Sequence, residues 1–178
     1  NAHPSQIGLL AATYSLFQFI AGPILGRLSD RFGRKKLLVI SQLGTFLGFV
    51  LLAFANTLPL LFLSRIIDGI TGGNISIAQA YIADSTDKKN RTKGMGIIGA
   101  AFGLGFIIGP TLGGLLSRQG YMLPALVAAG ISFLSIIVTS LFLKETVGLT
   151  ASQNPTTRFG LRRMLFTLKD KKLQEFTL

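Results

Sequence analysis

Five long apolar runs alternate with short polar segments along this chain of 178 residues. The runs cover residues 7–28, 37–55, 58–83, 94–116 and 122–143. Each has about 20 residues, which at about 1.5 Å of rise per helical residue crosses the roughly 30 Å of hydrocarbon in a bilayer. A backbone in lipid must satisfy its own hydrogen bonds, so each run is predicted to be a transmembrane helix. The pattern predicts an all-α membrane protein built as a helical bundle.

The Lys and Arg residues indicate which polar segments share a side of the membrane. Five lie in or beside the segment after the first run, four lie in residues 84–93 and seven follow the last run, so 16 of the 18 are on one side. Cytoplasmic loops carry such an excess, which places these segments inside and the N-terminus outside. The net charge of +11 is therefore interpreted as a topology signal, and nucleic acid is not expected as a partner.

Composition argues against several function classes. Only 14% of residues are charged and the mean hydropathy is +0.54, whereas soluble domains carry about 25% charged residues. Cysteine is absent, and the lone histidine, His3, has no clustered partners for a metal or catalytic site. There is no phosphate-binding G-x-x-x-x-G-K-[ST] motif. We therefore predict no catalytic residue, no metal site, no cofactor and no enzymatic activity.

Two of the runs contain similar stretches. Residues 19–28 and 106–115 are identical at seven of ten positions, at a constant offset of 87 residues. Because the two runs cross the membrane in opposite directions, the similarity predicts an inverted repeat, as in transporters that alternate access. Chance recurrence of Gly-Pro kinks is the alternative interpretation. The repeat leaves the third span without a partner, so we expect one more helix upstream. This chain is then an internal piece of a longer protein.

The polar segment of residues 26–38 combines five cations with a single acid, Asp30. It resembles, nearly letter for letter, the G-x-L-x-D-R-x-G-R-[RK] loop of the major facilitator superfamily of transporters. In that family the loop is a conformational latch, meaning a set of contacts that holds the inner helix ends together. Anchoring by positive charge alone is the alternative. The residues assigned to this cytoplasmic latch, the last two by the resemblance, are Gly26, Asp30, Arg31, Gly33, Arg34, Lys35, Asp84 and Arg91.

The third run carries charge inside the predicted membrane region. Arg65 and Asp68 lie three residues apart, on one face of a helix. Charges at this depth are costly and usually face a cavity or a partner. The stretch resembles the family's R-x-x-x-G-x-[GT] motif, whose Arg is linked to proton movement; a purely structural Arg65–Asp68 bridge is the alternative. Asn74 and Gln79 follow on the same helix and are expected to line a cavity or to bond across helices.

Glycines dominate the fourth run. Their spacing matches the family's antiporter motif, G-x8-G-x3-G-P-x2-G-G. Glycines four residues apart form a smooth stripe for close helix packing, and proline bends the helix. Tight packing in any transporter is the alternative to a specific role in exchange. The residues assigned to this antiporter seam are Gly96, Gly105, Gly109, Pro110, Gly113 and Gly114.

The resemblance covers residues 8–145 and implies an incomplete N-terminal half of the major facilitator fold, corresponding to the family's second to sixth helices. The predicted domains are a five-helix transmembrane bundle over residues 1–145 and a cytoplasmic central loop over residues 146–178. The loop has the pattern of an amphipathic basic helix, with residues 173–178 as a candidate start of the next span.

The function that the resemblance implies is proton-coupled export of small molecules, tetracycline-like drugs among them, by alternating access. The expected partners are the lipid bilayer, a small-molecule substrate, protons, and the missing first helix and C-terminal half of the same protein. The expected location is the plasma (inner) membrane. The alternatives are an importer or uniporter for a sugar or metabolite, and a truncated membrane protein that interacts with partners without transporting.

Overall fold

The computed structural model describes residues 4–146 and contains six α-helices in that range. They are α1 (Pro4–Phe32), α2 (Arg34–Ala53), α3 (Leu58–Thr71), α4 (Asn74–Ser85), α5 (Lys88–Ser117) and α6 (Met122–Phe142). α3 and α4 together make one span, so this range holds five helical segments that are long and apolar enough to cross a bilayer. The predicted all-helical bundle with five spans is confirmed. The predicted central loop beyond residue 146 lies outside the described residues.

The third span is not the single uninterrupted helix that was predicted over residues 58–83. α3 ends at Thr71, and α4 begins at Asn74. Between them the backbone turns tightly, since the Gly72 N–H donates to the Gly69 carbonyl and the Gly73 N–H donates to the Thr71 carbonyl. Each glycine is about 1 kcal/mol less favourable than Ala inside a helix. Two in succession are the local reason for the break.

Two polar segments that were predicted to be loops are largely helical. α1 continues to Phe32 and α2 starts at Arg34, so Gly33 alone separates them, at a φ of +111°. α5 begins at Lys88, which leaves only Thr86 and Asp87 after α4. A helix can continue past the hydrocarbon because its charged side chains then reach headgroups and water. The polar segments therefore form helix ends, and the connections between them are short.

Glycines hold the centre of the bundle together, where α2 packs against α3 and α6 while α1 packs against α3. A side chain at Gly44 would overlap Thr71, and a Cβ at Gly48 would lie 2.9 Å from the Asp68 Cβ. A Cβ at Gly69 would lie 2.8 Å from the carbonyl oxygen of Tyr14. Helices in lipid associate through close van der Waals contact at small residues. These three glycines thus set the spacing of α1, α2 and α3.

α5 lies at the margin of the described bundle. It contributes no buried residue within residues 4–146. Phe106 and Ile107 are 77% and 70% exposed, and Phe19 on α1 is 79% exposed. Apolar surface on this scale does not face water in a stable protein. It is surface of the kind that helices present to lipid or to other membrane-embedded protein.

Candidate functional site

A cavity of about 890 Å³ lies among α1, α2, α4 and α5. Its wall is mainly apolar and includes the rings of Phe49, Phe102 and Phe106. Tyr14 and Asn74 add a phenol and an amide. The remaining lining residues are Ile75, Ala78, Ile98, Ala101, Gly105 and Pro110. Ligand pockets of about 300–1,000 Å³ with an apolar wall and a few polar groups suit small amphipathic molecules.

A buried ion pair lies beside this cavity. Arg65 Nη1 is 3.5 Å from Asp68 Oδ2, and Asp68 is only 4% exposed. The Arg65 guanidinium carbon is 5.6 Å from the centre of the Phe49 ring, which lines the cavity. Arg65 Nε and Nη2 are buried and find no hydrogen-bond partner within the described part of the chain. A buried cation is expensive unless its donors are satisfied, so this pair is incompletely compensated.

Asn74 connects the ion pair to the cavities. Its Nδ2 donates to Thr45 Oγ1 at 3.4 Å, and Thr45 hydrogen-bonds to Asp68. Asn74 also lines a second cavity of about 410 Å³, which has Gln42 on α2 in its wall together with residues of α6. Gln79 is exposed and lines neither of these two cavities. Both amides were expected to line a cavity or to bond across helices, and Asn74 does both.

The end of α1, the start of α2 and the end of α4 meet at Arg34. Its Nε donates to Asp84 Oδ2 at 2.8 Å, and its Nη2 pairs with Asp30. Its Nη1 donates to Ser29 Oγ at 2.6 Å and to the Gly26 carbonyl at 3.3 Å. Arg34 is 9% exposed, so these contacts are better shielded from water than a surface pair. We call Asp30, Arg34 and Asp84 the inner charge cluster, because the Lys and Arg pattern predicts that this side faces the cytoplasm. The cluster joins α1, α2 and α4.

Three other residues assigned to the latch lie apart from these carboxylates. Arg91 Nη2 donates to the Ala83 carbonyl at 2.7 Å, at the end of α4. The Arg31 guanidinium lies over the Phe32 ring, 5.9 Å from its centre. Neither forms an ion pair with a carboxylate among the described residues. Lys35 contributes a backbone N–H, which donates to Glu145 Oε1.

Glu145, just after α6, contacts the start of α2, and the sequence analysis did not identify it. Its Oε1 accepts from the Lys35 N–H at 3.4 Å and from the Thr146 N–H at 3.1 Å. A Cβ at Gly33 would lie 2.8 Å from the Glu145 carboxyl carbon. A carboxylate is favourable at a helix N-terminus, where backbone N–H groups lack partners. Lys35 and Glu145 are 110 positions apart in the sequence, so no local sequence signal exists for this contact.

The sequence analysis also did not identify three residues at or beside the cavities, namely Tyr14, Gln18 and Phe49. Gln18 Nε2 donates to Tyr14 Oη at 2.9 Å and to the Gly72 carbonyl at 3.1 Å. Phe49 lines both cavities. The available signal was a polar amide within an apolar run, since polar residues inside a span usually contact a partner or a cavity.

The glycine stripe of α5 is open in this structure. Apart from the adjacent residues and the backbone of α5 itself, no atom described in residues 4–146 lies within 4 Å of a Cβ built at Gly96, Gly105, Gly109, Gly113 or Gly114. Gly105 and Pro110 nevertheless line the larger cavity. The stripe therefore borders the cavity and packs against nothing in this part of the chain.

The five spans, the mainly apolar cavity, the buried ion pair and the inner charge cluster define a multi-pass helical membrane protein of the transporter type. A family model described as Major Facilitator Superfamily matches residues 1–176. The chain belongs to this superfamily.

Bacterial and human proteins match the same part of the chain. The chain is 44% identical over 146 residues to a tetracycline resistance protein, class H, of Pasteurella multocida, covering 82% of this chain and 36% of that protein. It is 35% identical over 146 residues to multidrug resistance protein 2 of Bacillus subtilis (strain 168), covering 82% and 36% respectively. The crystal structure of the human organic anion transporter MFSD10 (TETRAN) aligns with a TM-score of 0.69 at 34% identity, over 78% of this chain and 32% of that one.

The chain thus spans about a third of the length of the curated relatives it matches. The prediction of a fragment of the major facilitator fold, most like the tetracycline and multidrug proteins, is confirmed. The predicted location, as an integral multi-pass protein of the plasma (inner) membrane, is confirmed as well.

Proposed function

We propose that this chain is part of a proton-coupled secondary active transporter that exports small amphipathic drugs, tetracycline-like compounds among them, by alternating access. The substrate class is suggested by relatives named for tetracycline and multidrug resistance. The observation that carries the proposal is the cavity of about 890 Å³ beside the buried Arg65–Asp68 pair.

The cavity wall supports an amphipathic substrate. Phe49, Phe102 and Phe106 offer aromatic faces for flat fused rings, which pack in offset or edge-to-face geometries. Tyr14 and Asn74 offer donors and acceptors that orient the polar edge of such a molecule. This combination discriminates weakly among drugs of similar size and suits a transporter of several related compounds.

The buried ion pair supports proton coupling. A guanidinium stays protonated in proteins, so Asp68 is the member of the pair that can take up and release a proton. When Asp68 is neutral, the positive charge of Arg65 is uncompensated beside the cavity; when Asp68 is ionised, the two charges offset each other. A protonation change at Asp68 thus alters the electrostatic environment of the substrate and links proton entry to drug exit.

The inner charge cluster and the glycine stripe supply the moving parts of this proposal. Arg34 holds the inner ends of α1, α2 and α4 together while the cavity is closed to the cytoplasm. The side-chain-free stripe on α5, at Gly105, Gly109 and Gly113, provides a surface along which a second half of the protein slides.

The test is transport by the full-length protein in inside-out membrane vesicles that carry an imposed acid-inside pH gradient. Tetracycline should accumulate inside the vesicles, and a protonophore should abolish the accumulation. Asp68→Asn should lower gradient-driven accumulation by about tenfold or more, because the proton site is lost. Gln79→Leu, at an exposed amide outside both cavities, is the control and should stay within about twofold of wild type.

Three results would point elsewhere. Gradient-driven movement of a sugar or metabolite in the import direction would favour the importer. Folded protein that transports no solute would favour an interaction role. Full accumulation by Asp68→Asn would remove Asp68 from the coupling step and assign that step to another carboxylate of the full-length protein.

A further inference from the structure

Side chains from two other helices hold the break in the third span. Gln18 Nε2 on α1 donates to the Gly72 carbonyl at 3.1 Å, and Ser41 Oγ on α2 donates to the Thr71 carbonyl. The last carbonyls of a helix lack intrahelical partners, and in a membrane interior an unpaired carbonyl is costly. Gln18 therefore gives a hydrogen bond to a carbonyl that has no helical donor, and Ser41 adds a second bond to the Thr71 carbonyl, which also accepts from the Gly73 N–H.

α1 packs against both sides of this break. A Cβ at Gly69 on α3 would lie 2.7 Å from the Phe17 Cβ, and a Cβ at Gly73, just before α4, would lie 2.6 Å from Leu25 Cδ1. α1 itself is one continuous helix from Pro4 to Phe32. A change in the angle between α3 and α4 must therefore be accommodated along the α1 surface, with Gln18 between the two contact points.

The same Gln18 amide also reaches the cavity wall. Its Nε2 donates to Tyr14 Oη at 2.9 Å, and Tyr14 lines the cavity of about 890 Å³. On the other side of the break, α4 carries Asp84, which pairs with Arg34. One side-chain amide thus connects the cavity wall to the helix that carries one carboxylate of the inner charge cluster.

We propose that Gln18 is a positioning residue that couples occupancy of the cavity to the inner charge cluster through the Gly72–Gly73 break. The proposal rests on the proposed function. A substrate that packs against Tyr14 displaces its hydroxyl, and the Gln18 amide shifts its hold on the Gly72 carbonyl. α4 then changes its angle to α3 and moves Asp84 relative to Arg34. Gln18 acts through the backbone and needs no contact with the substrate.

The experiment compares Gln18→Met with Gln79→Met in the full-length protein. Both substitutions replace an amide by a thioether of similar length, but Gln79 is exposed on α4 and lines neither cavity. Three quantities are measured: the tetracycline Kd, turnover at saturating tetracycline, and the distance between spin labels at Lys36 on α2 and Ser85 on α4, with and without drug.

In Gln18→Met the Kd should stay within about threefold of wild type. Turnover should fall about tenfold, and the drug-induced change in label distance should disappear. Gln79→Met should behave as wild type in all three measurements. Unchanged turnover and label response in Gln18→Met would overturn the proposal. A weaker Kd with normal turnover at saturation would also overturn it, since Gln18 would then be a substrate contact.

A second variant keeps the test decisive if Gln18→Met does not fold. Tyr14→Phe removes the hydroxyl but keeps the ring in the cavity wall and the Gln18 bond to the Gly72 carbonyl. It should lose the drug-induced distance change while keeping the wild-type label distance without drug. Retention of the drug response in Tyr14→Phe would contradict the coupling route.

Backbone hydrogen exchange of residues 70–77 separates this proposal from the proposed function. Without any drug, these residues should exchange faster in Gln18→Met than in Gln79→Met, because the Gly72 carbonyl has lost its side-chain hydrogen bond. If the wild-type protein moves no drug but this difference is present, the transport proposal fails, whereas the claim that Gln18 stabilises the Gly72–Gly73 break is supported. Equal exchange in the two variants would show that Gln18 does not hold the break.

Discussion

Among single residues, Arg34 makes the most consequential contacts at the inner end of the bundle. Its planar guanidinium reaches Asp30, Asp84, Ser29 and the Gly26 carbonyl at once. A lysine ammonium is a point charge with three donors on a flexible stem and cannot reproduce that fork. The geometry, rather than the charge alone, is what joins α1, α2 and α4.

Arg34→Lys should therefore be more damaging than its conservative chemistry suggests. It keeps the charge but leaves at least one buried acceptor unpaired, at a cost of about 1–3 kcal/mol. We expect a lower thermal unfolding temperature and a loss of drug transport of about tenfold in the full-length protein. Both are measured on purified protein in detergent and in vesicles.

Arg31→Lys is the matched control, since Arg31 is exposed and pairs with no carboxylate among the described residues. It should leave both quantities near wild type. Equal behaviour of the two variants would mean that the segment acts through its total positive charge, which is the anchoring alternative.

At the scale of secondary-structure elements, the junction of α1, α2 and the end of α6 is held by a single glycine and one carboxylate. Gly33 has a φ of +111° and a ψ of 134°, a region that other residues rarely adopt. The Glu145 carboxylate sits against it and accepts from the Lys35 N–H. A side chain at position 33 would be strained by the positive φ and would also overlap the Glu145 carboxylate.

Gly33→Ala should destabilise the protein by roughly 1–3 kcal/mol from backbone strain, with a further cost from displacing Glu145. Gly26→Ala, in the same polar segment, has no described neighbour within 4 Å of its Cβ and should be close to neutral. The free energy of unfolding or the unfolding temperature distinguishes the two.

Glu145→Ala combined with Gly33→Ala should recover only part of the loss, because the strained φ remains. Full recovery would show that the contact with Glu145, and not the backbone, is the obstacle. A neutral Gly33→Ala would contradict the positive φ at this position.

Sequence patterns predicted these elements well wherever a local signal existed. The apolar runs gave the five spans, and the motif around Asp30 and Arg34 identified two members of the inner charge cluster. The break at Gly72–Gly73 was missed because an apolar run with glycines is compatible with either a packed helix or two shorter ones. Glu145 was missed because its partner lies 110 residues away. Gln79 was expected to line a cavity or to bond across helices; it is exposed and lines neither of the two cavities described.

At the scale of the whole molecule, α2 packs against α3 and α6 and α1 packs against α3, while Phe19 on α1 and Phe106 on α5 keep their rings exposed. The matching stretches of residues 19–28 and 106–115 lie on these two helices. In the proposed transporter, α1 and α5 face the second half of the protein, and the open glycine stripe of α5 meets that half.

The topology of the chain can be tested directly because it contains no cysteine. A single cysteine introduced at Thr86, between α4 and α5, should be protected from a membrane-impermeant maleimide added to intact cells. One introduced at Gln119, between α5 and α6, should be labelled. Permeabilised cells, in which both should react, are the control. Labelling at Thr86 and protection at Gln119 would reverse the orientation and contradict the positive-inside assignment.

The one-residue connection between α1 and α2 constrains how this protein can be engineered. Epitope tags, fluorescent proteins and new chain termini are tolerated in long, flexible loops. The single glycine between α1 and α2, packed next to the Glu145 carboxylate, is not such a loop. The segment Arg118–Tyr121 on the opposite side is longer and exposed, so insertions belong there. A library of random in-frame insertions should be depleted of survivors around position 33 and enriched around position 119.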